Sequence, residues 1–247
     1  NARSFDALLL SGTFGNYSLN TFLAMMQPMG VVSEPDPAGP PAPDLTANSK
    51  GAQLAGLWFT GKPHKAISFE VNGLVMHNDG QNGNINFERT IGNVGARVFG
   101  EPVDGLTYDG EFNYQFGDNN TRDHSAWAWA AHVQYVHKKG KKVKPGGKVG
   151  YAMASGEACV NAPGDPGGCG AADSNEFFNF FPTNHMHYGY VDLMGWRNMR
   201  DLEVQAFLAI PNVAKKIGVK YHFFQLQEAA GRWSNAGGAN VGVGWDD

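Results

Sequence analysis

Cationic side chains recur on the polar side of segments in which polar and apolar residues alternate. Arg97 and His132 lie in two such segments, and Lys216, Lys220 and His222 share the polar side of a third. A guanidinium group binds a carboxylate through two hydrogen bonds, and an ammonium group binds it as a point charge. If this polar side lines a water-filled passage, we expect these five residues to bind carboxylates there. The alternative is a solvated wall on which they pair with nearby aspartates and glutamates.

Two further arginines, Arg197 and Arg200, flank Asn198 in a segment without alternation. We expect them on a loop that folds into the passage and narrows it, as loops inside barrels do. The alternative is a contact at the end of a strand or a salt bridge within the loop.

The remaining reactive side chains predict no catalytic, cofactor or metal site. His185 and His187 would point the same way on a strand, but a metal needs further ligands. The oxygen-rich stretches 77–84 and 117–123 lack the spacing of a calcium loop. The basic run 138–148 is interpreted as a solvated turn between strands. The motifs of serine hydrolases, P-loop proteins and zinc proteases do not occur, so no enzyme is predicted.

Cys159 and Cys169 flank a loop sequence rich in glycine and proline. Cysteines this close in a loop can approach to disulfide distance. We predict a disulfide and therefore an oxidising compartment. The alternative is two unrelated thiols.

Composition favours a β protein. The net charge of −4 excludes a general nucleic-acid binder, which would be basic. Charged residues make up 17% of the 247 residues, against about 25% in ordinary soluble domains, and there are 33 glycines. No apolar stretch reaches the roughly 18 residues of a membrane helix. Low charge with many glycines and aromatic residues indicates strands joined by turns.

Alternation with a period of two predicts ten strands within a single domain, residues 1–247. Ten tilted residues span roughly 23 Å, close to the apolar band of an outer-membrane barrel. The segments lie at 4–13, 15–27, 51–60, 65–77, 85–99, 106–117, 125–135, 147–155, 202–210 and 216–224.

The two faces of these strands differ in a way that indicates lipid outside and water inside. The apolar face carries most of the aromatic residues, among them Trp127, Trp129 and Tyr135, while the opposite face is polar or small. A soluble core would need bulk on the inner face. We therefore predict an all-β fold, an antiparallel transmembrane β-barrel that contacts outer-membrane lipid.

The connections alternate between short and long, which is typical of outer-membrane barrels with periplasmic turns and external loops. The longest predicted loops are 27–50 and 156–200. Ten strands then place both chain ends on the long-loop side, although bacterial barrels keep both ends in the periplasm. We therefore expect the chain to form an interior part of a larger barrel.

Several stretches resemble the alginate export family of outer-membrane β-barrels. They are FFNF at 177–180, FPTNHMHYGYVDLMGWRN at 181–198, WSNAGG at 233–238, ASGE at 154–157, YDGEFNYQFGD at 108–118 and AWAWAAHVQY at 126–135. The resemblance covers most of residues 85–238.

The resemblance implies a channel of about eighteen strands in the bacterial outer membrane, through which an anionic polysaccharide diffuses past basic side chains. We expect either such a polymer or a smaller organic anion as the cargo. This chain departs from a purely basic lumen, because five acids share the inward face: Glu70, Asp109, Glu111, Asp201 and Glu203.

Two other functions remain open. A structural barrel would sheathe or anchor a periplasmic or surface protein through its long loops. The other alternative is that the chain is a soluble secreted β-protein that binds carbohydrate.

Overall fold

The structure is a computed structural model of the chain. It describes residues 6–26, 52–82, 85–119, 122–138, 143–157, 173–180, 195–210 and 214–228. Within these ranges no helix is long and apolar enough to cross a membrane. The described strands are β1 (Asp6–Phe14), β2 (Tyr17–Met26), β3 (Ala52–His64), β4 (Ile67–Asn82), β5 (Ile85–Val103), β6 (Leu106–Asn119), β7 (Arg122–Val136), β8 (Lys144–Ala154), β9 (Met199–Ile210) and β10 (Ala214–Leu226).

The ten strands form one antiparallel sheet in sequence order. Each inner strand, β2 to β9, pairs with the strand before it and the strand after it, so consecutive strands are neighbours in the sheet. Among the described residues, β1 pairs only with β2 and β10 only with β9. The prediction of an all-β, ten-stranded antiparallel fold is confirmed.

Several strands are longer than the sequence predicts. Residues 78–82, which lie beyond the predicted strand 65–77, continue β4, because Asn78 pairs with Arg89 and the ladder extends to the pair of Asn82 and Ile85. Polar residues in this stretch resemble a turn. The backbone ladder does not require apolar side chains, so it continues where alternation has ended.

Tight turns connect the strands at one edge of the sheet, which we call the short-turn edge. Two-residue turns lie at 15–16, 65–66 and 104–105. Gly15 has a φ of 61° and Gly105 a φ of 85°, values in the left-handed region that glycine adopts without steric cost. These three described turns therefore lie on one side of the sheet.

One face of the sheet, the apolar face, presents large hydrophobic side chains that no other part of the described chain covers. Val133, Val149 and Val204 form a continuous row across β7, β8 and β9. The exposed side chains of this face include Leu57, Val71, Val75, Val94, Val98, Phe112, Tyr114, Val133, Tyr135, Val149, Val204, Leu208, Val219 and Tyr221. A protein in water would bury such an area against a second layer.

The opposite face, the polar face, is partly covered by residues 173–180, which we call the covering segment. Phe177 is buried against small side chains at one end of β7 and β8, including Ala128 and Ala154. Phe178 and Phe180 pack on a second cluster formed by β2, β3 and β4: Ala24, Leu54 and Met76. The largest buried clusters therefore lie on the polar face, under the covering segment.

Candidate ligand-binding site on the polar face

Arg97 of β5 is held by carboxylates from both neighbouring strands. Its Nε donates to Asp109 Oδ1 at 2.9 Å, and its Nη2 contacts the second oxygen of the same carboxylate. Its Nη1 donates to Glu70 Oε2 at 3.2 Å. The guanidinium also lies 4.5 Å from the centre of the Phe99 ring. A ligand carboxylate would therefore compete with two carboxylates for Arg97.

The other predicted cations of the polar face also have acidic or polar neighbours. His132 Nε2 lies 3.9 Å from Asp109 Oδ2. His222 Nδ1 lies 2.8 Å from Asp201 Oδ2, and Asp201 is buried. Lys216 donates to Gln205 Oε1 at 2.8 Å. The interpretation that these groups pair within the wall therefore holds for much of the network.

Four lysines nevertheless converge near the short-turn edge, around a cleft of about 600 Å³ that we call the lysine cleft. Lys148 in this cleft bonds Glu203 at 2.9 Å. The walls of the lysine cleft are formed by Lys65, Ser68, Phe99, Gly100, Glu101, Thr107, Tyr108, Asp109, His132, Gln134, Lys148, Glu203, Gln205, Lys216 and Lys220. Four lysines oppose three carboxylates, so the cleft carries excess positive charge.

A buried glutamine ties the covering segment to the polar face. Gln115 of β6 is fully buried; its Nε2 donates to the Phe178 carbonyl at 2.7 Å, and its Oε1 accepts from the Phe178 N–H at 2.8 Å. His124 Nε2 lies 3.2 Å from the same Oε1. At the other end, Ser174 bonds through its backbone to Asp123 and Ser125. The side chain of Gln115 therefore bonds both the N–H and the carbonyl of Phe178, as the backbone of a neighbouring strand would.

Asn198 joins the ends of three strands at the edge of the sheet opposite the short-turn edge. Its φ of 47° lies in the left-handed region, which asparagine tolerates better than most residues. Its N–H donates to the Ser155 carbonyl at 3.2 Å, and its Oδ1 accepts from the Glu228 N–H at 2.7 Å. Asn198 thereby connects the end of β8, the start of β9 and the end of β10.

The two arginines beside Asn198 have different positions. Arg197 Nε lies 3.0 Å from Glu176 Oε1 in the covering segment, so it belongs to a loop folded over the polar face. Burial raises the pKa of the Glu176 carboxyl, and the charge of Arg197 opposes that rise. Arg200 lies on β9, where alternation puts it on the face of Leu202 and Val204. The structure does not bring Arg200 together with the polar-face cations.

Beneath the covering segment is a second space of about 400 Å³, which we call the amide–aromatic cavity. Its walls are formed by aromatic rings, amide side chains and one ion-paired arginine: Trp58, Glu70, Asn72, Leu74, Asn93, Ala96, Arg97, Glu111, Asn113, Gln115, Phe177, Phe178, Asn179, Phe180 and Trp196. No sequence pattern predicts this cavity, because its residues come from four strands, from the covering segment and from Trp196, which lies in a further segment without alternation.

The structure thus groups His132, Lys216 and Lys220 around the lysine cleft and places Arg97 at the amide–aromatic cavity. It adds Lys65, which the sequence placed at the start of the predicted strand 65–77, and Lys148, which ends the basic run 138–148 that was interpreted as a turn. Cys159 and Cys169, His185 and His187, and the predicted loop 27–50 lie outside the described residues. The disulfide therefore stays a prediction.

Comparison with known proteins agrees with the fold and identifies the family. No curated protein sequence matches the chain. The family model described as alginate export matches residues 1–244, nearly the whole sequence. The chain belongs to the alginate export family.

Proposed function

We propose that the protein is an outer-membrane channel through which an anionic sugar polymer, such as an alginate-like polyuronate, or a smaller organic anion diffuses. The observation that carries the proposal is the lysine cleft on the polar face, with Lys65, Lys148, Lys216 and Lys220 in its walls. Membership of a polysaccharide export family supports the same cargo class. In this proposal the polar face lines the passage and the apolar face contacts lipid.

The lysines suit transport better than tight capture. An ammonium group replaces water around a carboxylate without fixed geometry, and neighbouring acids weaken each individual contact. Glu203, for example, already bonds Lys148. Conduction requires binding that is favourable enough for entry and weak enough for release. Several weak contacts in one cleft satisfy both conditions for a polymer with one carboxylate per sugar.

The apolar face supports the outer membrane as the location. Val149 at the centre of β8 is 56% exposed, and its paired neighbours Val133 and Val204 are 50% and 44% exposed. Hydrocarbon stabilises such a row, whereas water does not. The alternation of apolar and polar residues along each strand is the pattern by which bacterial barrels separate lipid from lumen.

Neutralising the cleft is expected to reduce anion preference. The double variant Lys216→Gln and Lys220→Gln removes two of four ammonium groups. At separations near 4 Å a unit charge contributes about 1 kcal/mol in water, so the ratio of anion to cation permeability should fall about two- to fivefold. The measurement is the reversal potential of the reconstituted protein in planar bilayers under a salt gradient.

The matched control for this measurement is Lys62→Gln. Lys62 is an exposed lysine near the same edge that does not line the cleft. Its neutralisation should leave the permeability ratio unchanged. A ratio that is the same in the cleft variant and in the parent protein would remove the proposed role of the cleft.

A structural barrel is the second candidate, because the covering segment fills part of the space above the polar face with Phe177, Phe178 and Phe180. Such a barrel would sheathe or anchor a periplasmic or surface protein and would not conduct. Bilayers that incorporate the folded protein without any current steps would favour this function over the channel.

A further inference from the structure

We propose that the amide–aromatic cavity is a sugar-binding subsite that recognises the hydroxyl groups and the apolar face of a pyranose ring rather than a carboxylate. The inference deepens the proposed channel function, on which it rests, by adding a second subsite of different chemistry. The lysine cleft would bind the carboxylates of a polymer, and this cavity would bind its sugar rings.

A row of amide side chains forms the polar wall of the cavity. Asn93 Nδ2 donates to Asn72 Oδ1 at 3.3 Å and to Asn113 Oδ1 at 3.1 Å. These bonds fix the orientation of the amide groups of Asn72 and Asn113, because each of them accepts the bond from Asn93 through its Oδ1 atom. Among the described residues, the Nδ2 groups of Asn72 and Asn113 have no further partner, so they are donors available to sugar hydroxyls.

A glycine makes room for this row. Gly95 lies directly between Asn72 and Asn113 in the sheet register. A Cβ at this position would lie 2.7 Å from Asn72 Nδ2 and even closer to Asn113 Oδ1. Since real Cβ atoms do not approach polar atoms so closely, any other residue here would push the two amides away from each other.

Aromatic rings form the opposite wall. Phe177 and Trp196 meet edge to face with ring centres 6.4 Å apart, and Phe178 and Phe180 do the same at 5.7 Å. Trp58 of β3 lines the cavity from the sheet, beside its strand partner Asn72. Binding sites for small ligands combine such apolar surfaces with a few placed polar groups, in volumes of about 300–1,000 Å³. The C–H face of a sugar ring and its hydroxyl rim match these two walls.

Charge distinguishes this cavity from the lysine cleft. Among the described residues that line it, Arg97 is the one cation; it is already bonded to Asp109 and Glu70, and Glu111 also lines the wall. A ligand carboxylate would meet no excess positive charge here. The hydroxyl groups of a sugar, in contrast, need only amide donors and acceptors. The cavity therefore selects for rings whether or not they carry a carboxylate.

The test compares three polymers of similar size in the reconstituted protein: maltohexaose, a uronate hexamer and polyethylene glycol. Removing the Trp58 ring with Trp58→Leu should shorten the residence time of both sugars about fivefold, the size of one net contact of about 1 kcal/mol, and leave polyethylene glycol unaffected. Asn113→Ala should act in the same direction. Trp129→Leu is the control, since Trp129 lies on the apolar face beside Tyr151.

The outcomes separate this inference from the channel proposal. Lys220→Gln should shorten residence of the uronate only, because Lys220 lines the other cleft. Titration calorimetry of maltohexaose into the folded protein in detergent measures the cavity even if the protein does not conduct. If the protein does not conduct but calorimetry detects maltohexaose binding that depends on Trp58, the channel proposal is contradicted and the sugar subsite is supported. Residence times and heats that are the same in Trp58→Leu, Asn113→Ala and the parent protein overturn the sugar subsite.

Discussion

Replacing Val149 with arginine is expected to lower the free energy of unfolding in lipid vesicles by about 2–4 kcal/mol. Val149 is the central residue of β8 on the apolar face and is 56% exposed. If this face meets hydrocarbon, the guanidinium must leave water or distort the bilayer to reach it. In a protein surrounded by water the same substitution on an exposed strand would cost within about 0.5 kcal/mol.

The matched control is Gln134→Arg. Gln134 lies on β7 next to Val133, the residue paired with Val149, so it has nearly the same depth but faces the lysine cleft. An arginine there remains in water, and its effect should be much smaller. Both variants are compared by urea unfolding in vesicles. Equal losses of stability at the two positions would contradict lipid contact of the apolar face.

Replacing Gln115 with leucine is expected to release the covering segment. The change leaves the N–H and the carbonyl of Phe178 without the partners they have now. Each unsatisfied buried group costs about 1–3 kcal/mol, so the released state should gain at least about 30-fold in population. Single-channel conductance should rise, because Phe177, Phe178 and Phe180 would no longer cover the face that lines the proposed passage.

Chymotrypsin measures the same release independently, since it cleaves after phenylalanine. The Gln115→Leu protein should be cut within the covering segment under conditions in which the parent protein is not. Gln134→Leu is the control, as Gln134 lies on the polar face but bonds no residue of the segment. Unaltered conductance together with unaltered protection from chymotrypsin would show that Gln115 does not hold the segment.

Strands were predictable from the sequence where their two sides meet different surroundings. For β6 and β7 the expected 106–117 and 125–135 became Leu106–Asn119 and Arg122–Val136. Alternation marks only the part of a strand that has one apolar side. Beyond it, in 78–82 and 118–119, backbone pairing continues while the side chains resemble those of a turn.

The candidate site was predictable only in part, because its contacts join distant parts of the chain. The alternation of polar and apolar residues is enough to assign His132, Lys216 and Lys220 to the polar face. The lysine cleft also needs the register of β8, which brings Lys148 opposite Gln205. The covering segment shows no periodicity, and its bond to Gln115 spans 63 residues. Such pairing leaves no local pattern to find.

The most direct test of the account is nitroxide scanning along β9 in lipid vesicles. Single labels are placed at residues 202–206 in a protein whose Cys159 and Cys169 are replaced by serine, and collisions with oxygen and with a water-soluble nickel complex are measured. Leu202, Val204 and Ala206 should collide most with oxygen, which concentrates in lipid, whereas Glu203 and Gln205 should collide most with nickel. Equal accessibility of both faces to nickel, or the opposite alternation, would contradict a sheet that separates lipid from an aqueous passage.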